Sequence, residues 1–521
     1  MRPRLLQSAE RLRRLPDRVS DLVWEWAQWT PQALALIDGE NHWTYAELRA
    51  AIRSAAEFLQ ELSIRPGDRV MLVNENGRAT IALFLAASSL DAWAVLVNAR
   101  LSATEIANIA NHCRPRCMIF TVEVSSEAAA HAVRYNAGLH NVSPLGKLGV
   151  GPLDGAAVPE PVETSSDSQV AVLLYTSGTT GTPKGVMLTH RNLMFNAAVA
   201  GGMRGCVRED IVYGAMPISH VSALASIFLS ALYAGACFVS FPRFVPEQCL
   251  REIACGLTVL QGVPAMYTRL LAHIHETEAR LESHRLRLTW AGGSPLNPAI
   301  KQAVEKLTGL PLHNGYGLSE TSPSIATTRL DEPRQDCAVG PPIPLVEVRI
   351  VGRDERPLGA DEIGEIWCRG PNVMKGYYKA PDMTAKAITT DGWLRTGDLG
   401  KLDAEGCLHI CGRSKELIIR SGFNVYPVDV EAVLTAHPKV LQSAVIGVPA
   451  ANGNEEVVAY IQTSGDNALT RDELAAFCAE RLAPYKRPSR YIFCESLPVS
   501  PTGKILKHRL GTIVDVGPLE K

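Results

Sequence analysis

The sequence predicts an α/β protein of more than one domain. Short apolar runs rich in valine, leucine and isoleucine alternate with helical stretches from Asp21 to Ala291, the rhythm of a largely parallel sheet with crossover helices. The chain has 521 residues, too many for one ordinary core. Short strands with Pro/Gly turns, Ala338 to Ile350 and Gly364 to Arg369, then predict a small β subdomain, and α/β alternation resumes beyond Gly412.

In chain order, Asp21 to Trp29 reads as an amphipathic helix. Thr44 caps a second helix, with Glu47 at the capping-box position. A turn at RPGD precedes the strand RVMLVN, Ala79 to Leu90 is an apolar helix, and Ala92 to Val97 another strand. Val124 to Ser168 is rich in Gly, Pro, Ser and Ala, the composition of a variable loop. Val221 to Phe241 lacks charge over 21 residues, but Gly235 and four serines interrupt it, predicting a buried helix, a turn and a strand rather than a membrane span.

Hydrophobic residues make up 46% and charged residues 20%, as in a globular protein, and a net charge of -2 gives no reason to expect nucleic acid or an anionic membrane. Twelve scattered cysteines lack a zinc-like double pair and read as reduced thiols of a cytoplasmic enzyme. The arginine-rich first eighteen residues have no apolar segment behind them and read as a solvated helical lead-in, not a secretory signal.

The chemistry centres on Tyr175 to His190, YTSGTTGTPKGVMLTH. The apolar run Val170 to Leu174 precedes it, and Thr189 can cap a following helix. Thr176, Ser177, Thr179, Thr180 and Thr182 offer hydroxyls, Gly178, Gly181 and Gly185 allow close backbone approach, and Lys184 adds a point charge. Together these make a polyphosphate cradle. The spacing differs from a Walker A loop: Pro183 stands where the second glycine belongs and Gly185 where Ser or Thr should follow the lysine.

This stretch resembles the phosphate-binding signature of the adenylate-forming superfamily, and blocks from about Asp21 to Leu510 follow the order found in its acyl-CoA synthetases, the AMP-dependent acid–CoA ligases. The resemblance implies a large N-terminal adenylation domain over 1–412, a hinge at 413–416 that includes Lys415, and a mobile small C-terminal α+β domain over 417–521. It also implies ATP, Mg²⁺ and coenzyme A as reactants and cofactor.

Further motifs take roles within that resemblance. In NGYGLSET, Asn314 has the groups to read an adenine edge, Tyr316 offers a flat face to the purine, Gly315 and Gly317 flank it, Glu320 is a hard oxygen ligand for Mg²⁺, and Thr321 can donate to the α-phosphate. Gly292, Gly293 and Ser294, in AGGSPL, would lie against the other face of the base. Asp398 is suited to the ribose hydroxyls, and the resemblance places Arg413 on the ribose or phosphate. Lys504 is implied over the acid and α-phosphate during adenylation. Ser421, Gly422 and Phe423 fall in the block that meets CoA.

By resemblance the acid pocket contains His220 with Val221, Leu224 and Gly262, and Gly315 with Pro323 and Ile325. No acid lies between Tyr213 and Glu247 to hold a substrate ammonium, and no obvious cation awaits a second carboxylate. The expected substrate is a medium- or long-chain fatty acid or an aromatic monocarboxylic acid. It is activated as an acyl-adenylate with release of pyrophosphate and passed to CoA with release of AMP. The competing readings are an adenylation enzyme that loads a carrier protein and a non-catalytic nucleotide-binding regulator. The sequence leaves the oligomeric state open, a homodimer included.

Overall fold

The computed structural model describes residues 15–176, 184–281, 283–420, 423–450, 454–463, 469–500 and 504–513. Two eight-stranded sheets carry the larger part. In the first, the spatial order is Ser324–Thr327, Leu312–Gly317, Leu288–Gly292, Val259–Gly262, Ile211–Gly214, Cys237–Ser240, Leu34–Asp38 and Asn41–Thr44. Its inner pairs are parallel and the outermost pair at each edge is antiparallel. The second runs Gly376–Tyr377, Lys184–Thr189, Val170–Thr176, Trp93–Asn98, Arg69–Asn74, Cys117–Phe120, Gly146–Val150 and Gly138–Val142.

The expected α/β fold is therefore present, for the expected reason. Arg69–Asn74 and Trp93–Asn98 are buried at every residue, as strands covered on both faces must be, and their sequences are near-continuous apolar runs. The expected capping box closes at Thr44–Glu47, and Thr189 forms another with Asn192 at the start of helix His190–Met203. The uncharged stretch after Val221 folds into a π-helix, Ser222–Leu229, a short α-helix, Ser230–Ala234, and strand Cys237–Ser240. Gly235 makes the turn at φ +73°, and no helix among the described residues is long and apolar enough to cross a membrane.

Two expectations need correction. The stretch read as a variable loop holds helix Ser126–Arg134 and the hairpin Gly138–Val142/Gly146–Val150, whose polar, exposed outer strand hides the period-two signal. Residues 184–189, the second part of the stretch read as a polyphosphate cradle, form a strand antiparallel to Val170–Thr176, with Thr176 opposite Lys184. Residues 177–183, most of the expected cradle, lie outside the described residues.

Strands Glu347–Val351, Gly364–Arg369, Leu394–Leu402 and Leu408–Arg413 make a four-stranded antiparallel sheet. Further along the chain, strands Val440–Pro449, Glu455–Thr463 and Arg490–Phe493 pack with helices Pro427–Thr435 and Arg471–Arg481. The two apolar clusters of that segment draw only on residues between Ile418 and Ile513.

Candidate active site

Asp398 and Arg413 are cross-strand partners on Leu394–Leu402 and Leu408–Arg413. Arg413 Nε lies 3.1 Å from Asp398 Oδ1, and Tyr316 Oη donates to Oδ2 at 2.6 Å. Asp398 is 5% exposed. Burial raises its pKa, while Arg413 and then the Tyr316 hydroxyl pull it back. The first sheet supplies Tyr316 and the four-stranded sheet supplies Asp398 and Arg413, so these bonds join two substructures.

Lys184 begins its strand, with Nζ 5.6 Å from the centre of the Tyr377 ring. Tyr377 Oη donates to Glu320 Oε1 at 2.8 Å. Tyr377 stands opposite Val186 on the short edge strand Gly376–Tyr377, so the cradle lysine and the candidate metal carboxylate meet through a residue that sequence reasoning passed over. The run KGYY gave little signal, because two residues are too few for a strand period. Glu320 Oε2 accepts no hydrogen bond among the described residues, which leaves a hard carboxylate oxygen fit for Mg²⁺.

The turn after Tyr316 departs from expectation. Thr321 is fully buried, its hydroxyl accepting from Leu318 N at 2.9 Å and donating to the Leu318 and Pro323 carbonyls. A phosphate role for Thr321 does not fit, because the short 3₁₀ turn Ser319–Thr321 points it inward. The half-buried Ser319, not singled out from sequence, has the hydroxyl on this turn without a protein partner among the described residues. Asn314 is also turned inward: Nδ2 donates to Cys337 O at 3.0 Å and Oδ1 accepts from Gly315 N at 2.9 Å. At 4% exposure it braces the strand, and a base-reading role does not fit. Gly317 passes so close to the Pro323 carbonyl that any Cβ would collide with it.

His220 precedes the π-helix, and its carbonyl accepts from Leu224 N at 3.0 Å. Ser222 N–H donates to Nδ1 at 3.3 Å, so the proton of the neutral ring sits on Nε2. Burial, and then the Lys504 ammonium, lower its pKa to about 4. Lys504 is exposed on its open side, yet enclosure by the surrounding walls, followed by Arg413, lowers its pKa, and Asp398 opposes the shift. His220, Asp398, Arg413 and Lys504 thus share one electrostatic neighbourhood.

Val221, Leu224, Pro323 and Ile325 are buried beside His220 and the turn. Gly262 does not join them. It pairs with Ala291, one residue out of phase with the pair Gly292–Gly315, so it faces the opposite side of the sheet. There it packs on Met266 and lines a small apolar cavity with Phe244, Cys249, Leu260 and Tyr267. Gly292 ends its strand buried, Gly293 turns the chain at φ +82°, and Ser294 is half-buried.

Thr176 is half-buried at the other end of the cradle, and Ser177, Gly178, Thr179, Thr180 and Gly181 lie outside the described residues, as do Ser421 and Gly422. Phe423 is 55% exposed and stacks on Tyr485 with centroids 4.7 Å apart. Lys415 sits on the 3₁₀ turn Ser414–Glu416.

With this geometry in view, residues 23–378 match the AMP-binding enzyme family and residues 429–504 match the AMP-binding enzyme C-terminal domain. The feruloyl-CoA synthase of an Amycolatopsis species is 34% identical over 92% of this chain and 96% of its own length. The 2-succinylbenzoate–CoA ligase of Geobacillus kaustophilus is 33% identical over 93% and 96%. The o-succinylbenzoate CoA synthetase of Bacillus subtilis, solved with its acyl-adenylate intermediate, superimposes with a TM-score of 0.81 at 30% identity, covering 96% of this chain and 99% of that one. The chain belongs to the AMP-binding enzyme family, within the adenylate-forming superfamily, and its class is that of AMP-forming acid–CoA ligases.

Proposed function

We propose that the protein joins an aromatic or fatty carboxylic acid to coenzyme A in two steps at one site. The reading rests on one observation above all: Asp398 is held by Arg413 at 3.1 Å and by Tyr316 at 2.6 Å, in the same neighbourhood as Lys504 and His220. That is where a cation would bridge an incoming carboxylate and the α-phosphate of ATP.

In the first step a carboxylate oxygen attacks the α-phosphorus, the bond to the β-phosphate oxygen breaks, and pyrophosphate leaves. The residues position and stabilise charge, and no covalent intermediate on the enzyme is required. Lys184 and the following backbone hold the pyrophosphate, Ser319 donates to the reacting phosphate, and Asp398 with Arg413 fixes the ribose. Glu320 would hold Mg²⁺, which supplies charge neutralisation on the phosphates. Neutral His220 presents an N–H edge to the acid without adding charge.

In the second step residues 417–521 rotate about Lys415, withdraw Lys504 and bring Ser421, Gly422 and Phe423 toward CoA. The thiolate then attacks the acyl carbon and AMP departs. Exposed Phe423 on its stack with Tyr485 gives the pantetheine an apolar ledge. Feruloyl-CoA synthase and 2-succinylbenzoate–CoA ligase among the relatives suit the aromatic branch, and a long-chain-fatty-acid–CoA ligase suits the fatty one. Pyrophosphate release from ATP across a panel of acids, with and without CoA, tests the reading. One acid class whose turnover CoA accelerates supports it. Release that CoA leaves unchanged points to a carrier-protein acceptor, and a folded, ATP-binding protein that turns over no acid contradicts it.

A further inference from the structure

Arg204 is an unusual residue for its position. It caps helix His190–Met203 and runs inward, leaving 3% of its surface exposed. Its guanidinium lies 4.3 Å from the centre of the Trp290 ring and donates to the carbonyl of Ser226 in the π-helix. No carboxylate among the described residues pairs with it. By contrast the neighbouring Arg287 is fully paired with Asp210. A buried guanidinium normally has an anionic partner, because desolvating it alone is costly.

A second side chain beside it is also unmatched. Gln261 is 1% exposed, and neither Oε1 nor Nε2 has a hydrogen-bond partner in the protein. Gln261 is the cross-strand partner of Trp290, so both side chains leave the same face of the sheet. Arg204 therefore approaches, over Trp290, the face from which Gln261 projects. Asn196, two turns before Arg204 on its helix, has a third buried group without a partner, Nδ2.

This cluster adjoins residues expected to line the acid pocket. Gly292 and Gly315 share the Trp290 face, and a Cβ at Gly315 would stand 2.6 Å from Trp290 Cζ2. The indole thus fills the space those glycines leave. Ser226, which receives Arg204, lies two residues beyond Leu224. Its hydroxyl donates to Asn196 Oδ1 at 3.0 Å and lies 3.3 Å from that of Ser324, between Pro323 and Ile325. One side of this corner is apolar pocket wall, and the other holds a cation and two amides with unused hydrogen-bonding capacity.

We infer that Arg204 and Gln261, set around the indole of Trp290, recognise an anionic oxygen at the far end of the acid, so that the preferred substrate carries a second carboxylate remote from the one that is activated. This rests on the ligase reading above and narrows its substrate class, replacing the simple monocarboxylic acid. The second carboxylate satisfies the guanidinium and the Gln261 N–H together, while Trp290 limits the length of the acid. An acid with only a methyl at that end leaves the same groups unmatched, the situation in which polar sites discriminate most strongly.

The test measures kcat/KM for AMP release with ATP, Mg²⁺ and CoA over matched pairs: benzoate against terephthalate, cinnamate against 4-carboxycinnamate, and hexanoate against adipate. The wild type should favour the dianionic member of at least one pair by about tenfold or more. Arg204→Met should cut that ratio at least tenfold, chiefly through KM, and Arg204→Lys should restore part of it. If Arg204→Met does not fold, Gln261→Leu, which removes an unpaired amide, should lower the same ratio severalfold. A wild type that prefers the monocarboxylate in every pair overturns the inference and leaves the ligase standing. Equal loss on both members in the variants overturns it as well, assigning Arg204 to structure alone. Release with no acid of either kind would sink the ligase reading and this inference with it.

Discussion

Asp398 and Arg413 face each other across two antiparallel strands, 3.1 Å apart, with the Tyr316 hydroxyl closing the other side of the carboxylate at 2.6 Å. Removing either partner leaves a buried acid under-compensated, while changing Asp398 itself removes the proposed ribose ligand. Asp398→Asn should therefore raise the KM for ATP by about ten- to a hundredfold with a small change in melting temperature. Arg413→Met should also destabilise the fold, because it strands a charge. ATP titration and thermal melts of the two variants separate these effects.

Lys504→Ala should lower pyrophosphate release by about a hundredfold or more, since it removes the charge proposed to act on the reacting groups. Thioester formation from supplied acyl-adenylate should fall far less. Single-turnover assays of the two halves decide the matter, and equal loss in both contradicts the rotation about Lys415.

Tyr377→Phe deletes one hydrogen bond to Glu320 and keeps the ring beneath Lys184. A severalfold rise in the Mg²⁺ concentration required for half-maximal activity is expected, with stability lower by about 1 kcal/mol. An unchanged Mg²⁺ requirement would remove Glu320 from the metal site.

Acid should unfold the protein through buried histidines. His190 is fully buried with Nε2 unpartnered, and burial followed by the Arg18 charge lowers its pKa to about 3. His220 is lowered to about 4. A histidine whose folded pKa lies below its unfolded value of about 6.5 takes up protons on unfolding. Stability should thus be full above pH 6.5 and fall steadily as the pH drops toward 4 and 3. Melting temperatures over that range check the slope, which His190→Asn should flatten.

Much of this was legible in the sequence where a local rule governs. Capping at Thr44 and Thr189, the buried parallel strands and the break at Gly235 follow from neighbouring residues alone. The site was legible only as a set of residue types. Asp398 and Arg413 are joined by strand pairing, and Tyr377 reaches Glu320 across 57 residues of sequence, so neither link has a local signature. Thr321 and Asn314 carry the right chemistry but point inward, a fact of turn geometry that no composition reveals. Gly262 fell to register: one residue of phase puts it on the far face. Arg204 escaped notice because what sets it apart is the lack of an anionic partner among the described residues, which only packing can show.

The central claim, that the acid is activated as a mixed anhydride with AMP, has a direct test. Turnover of an acid labelled with ¹⁸O in its carboxylate, followed by mass spectrometry of the products, traces the attacking oxygen. The account predicts one ¹⁸O in the AMP and none in the pyrophosphate. Unlabelled AMP, or label in pyrophosphate or inorganic phosphate, would contradict it.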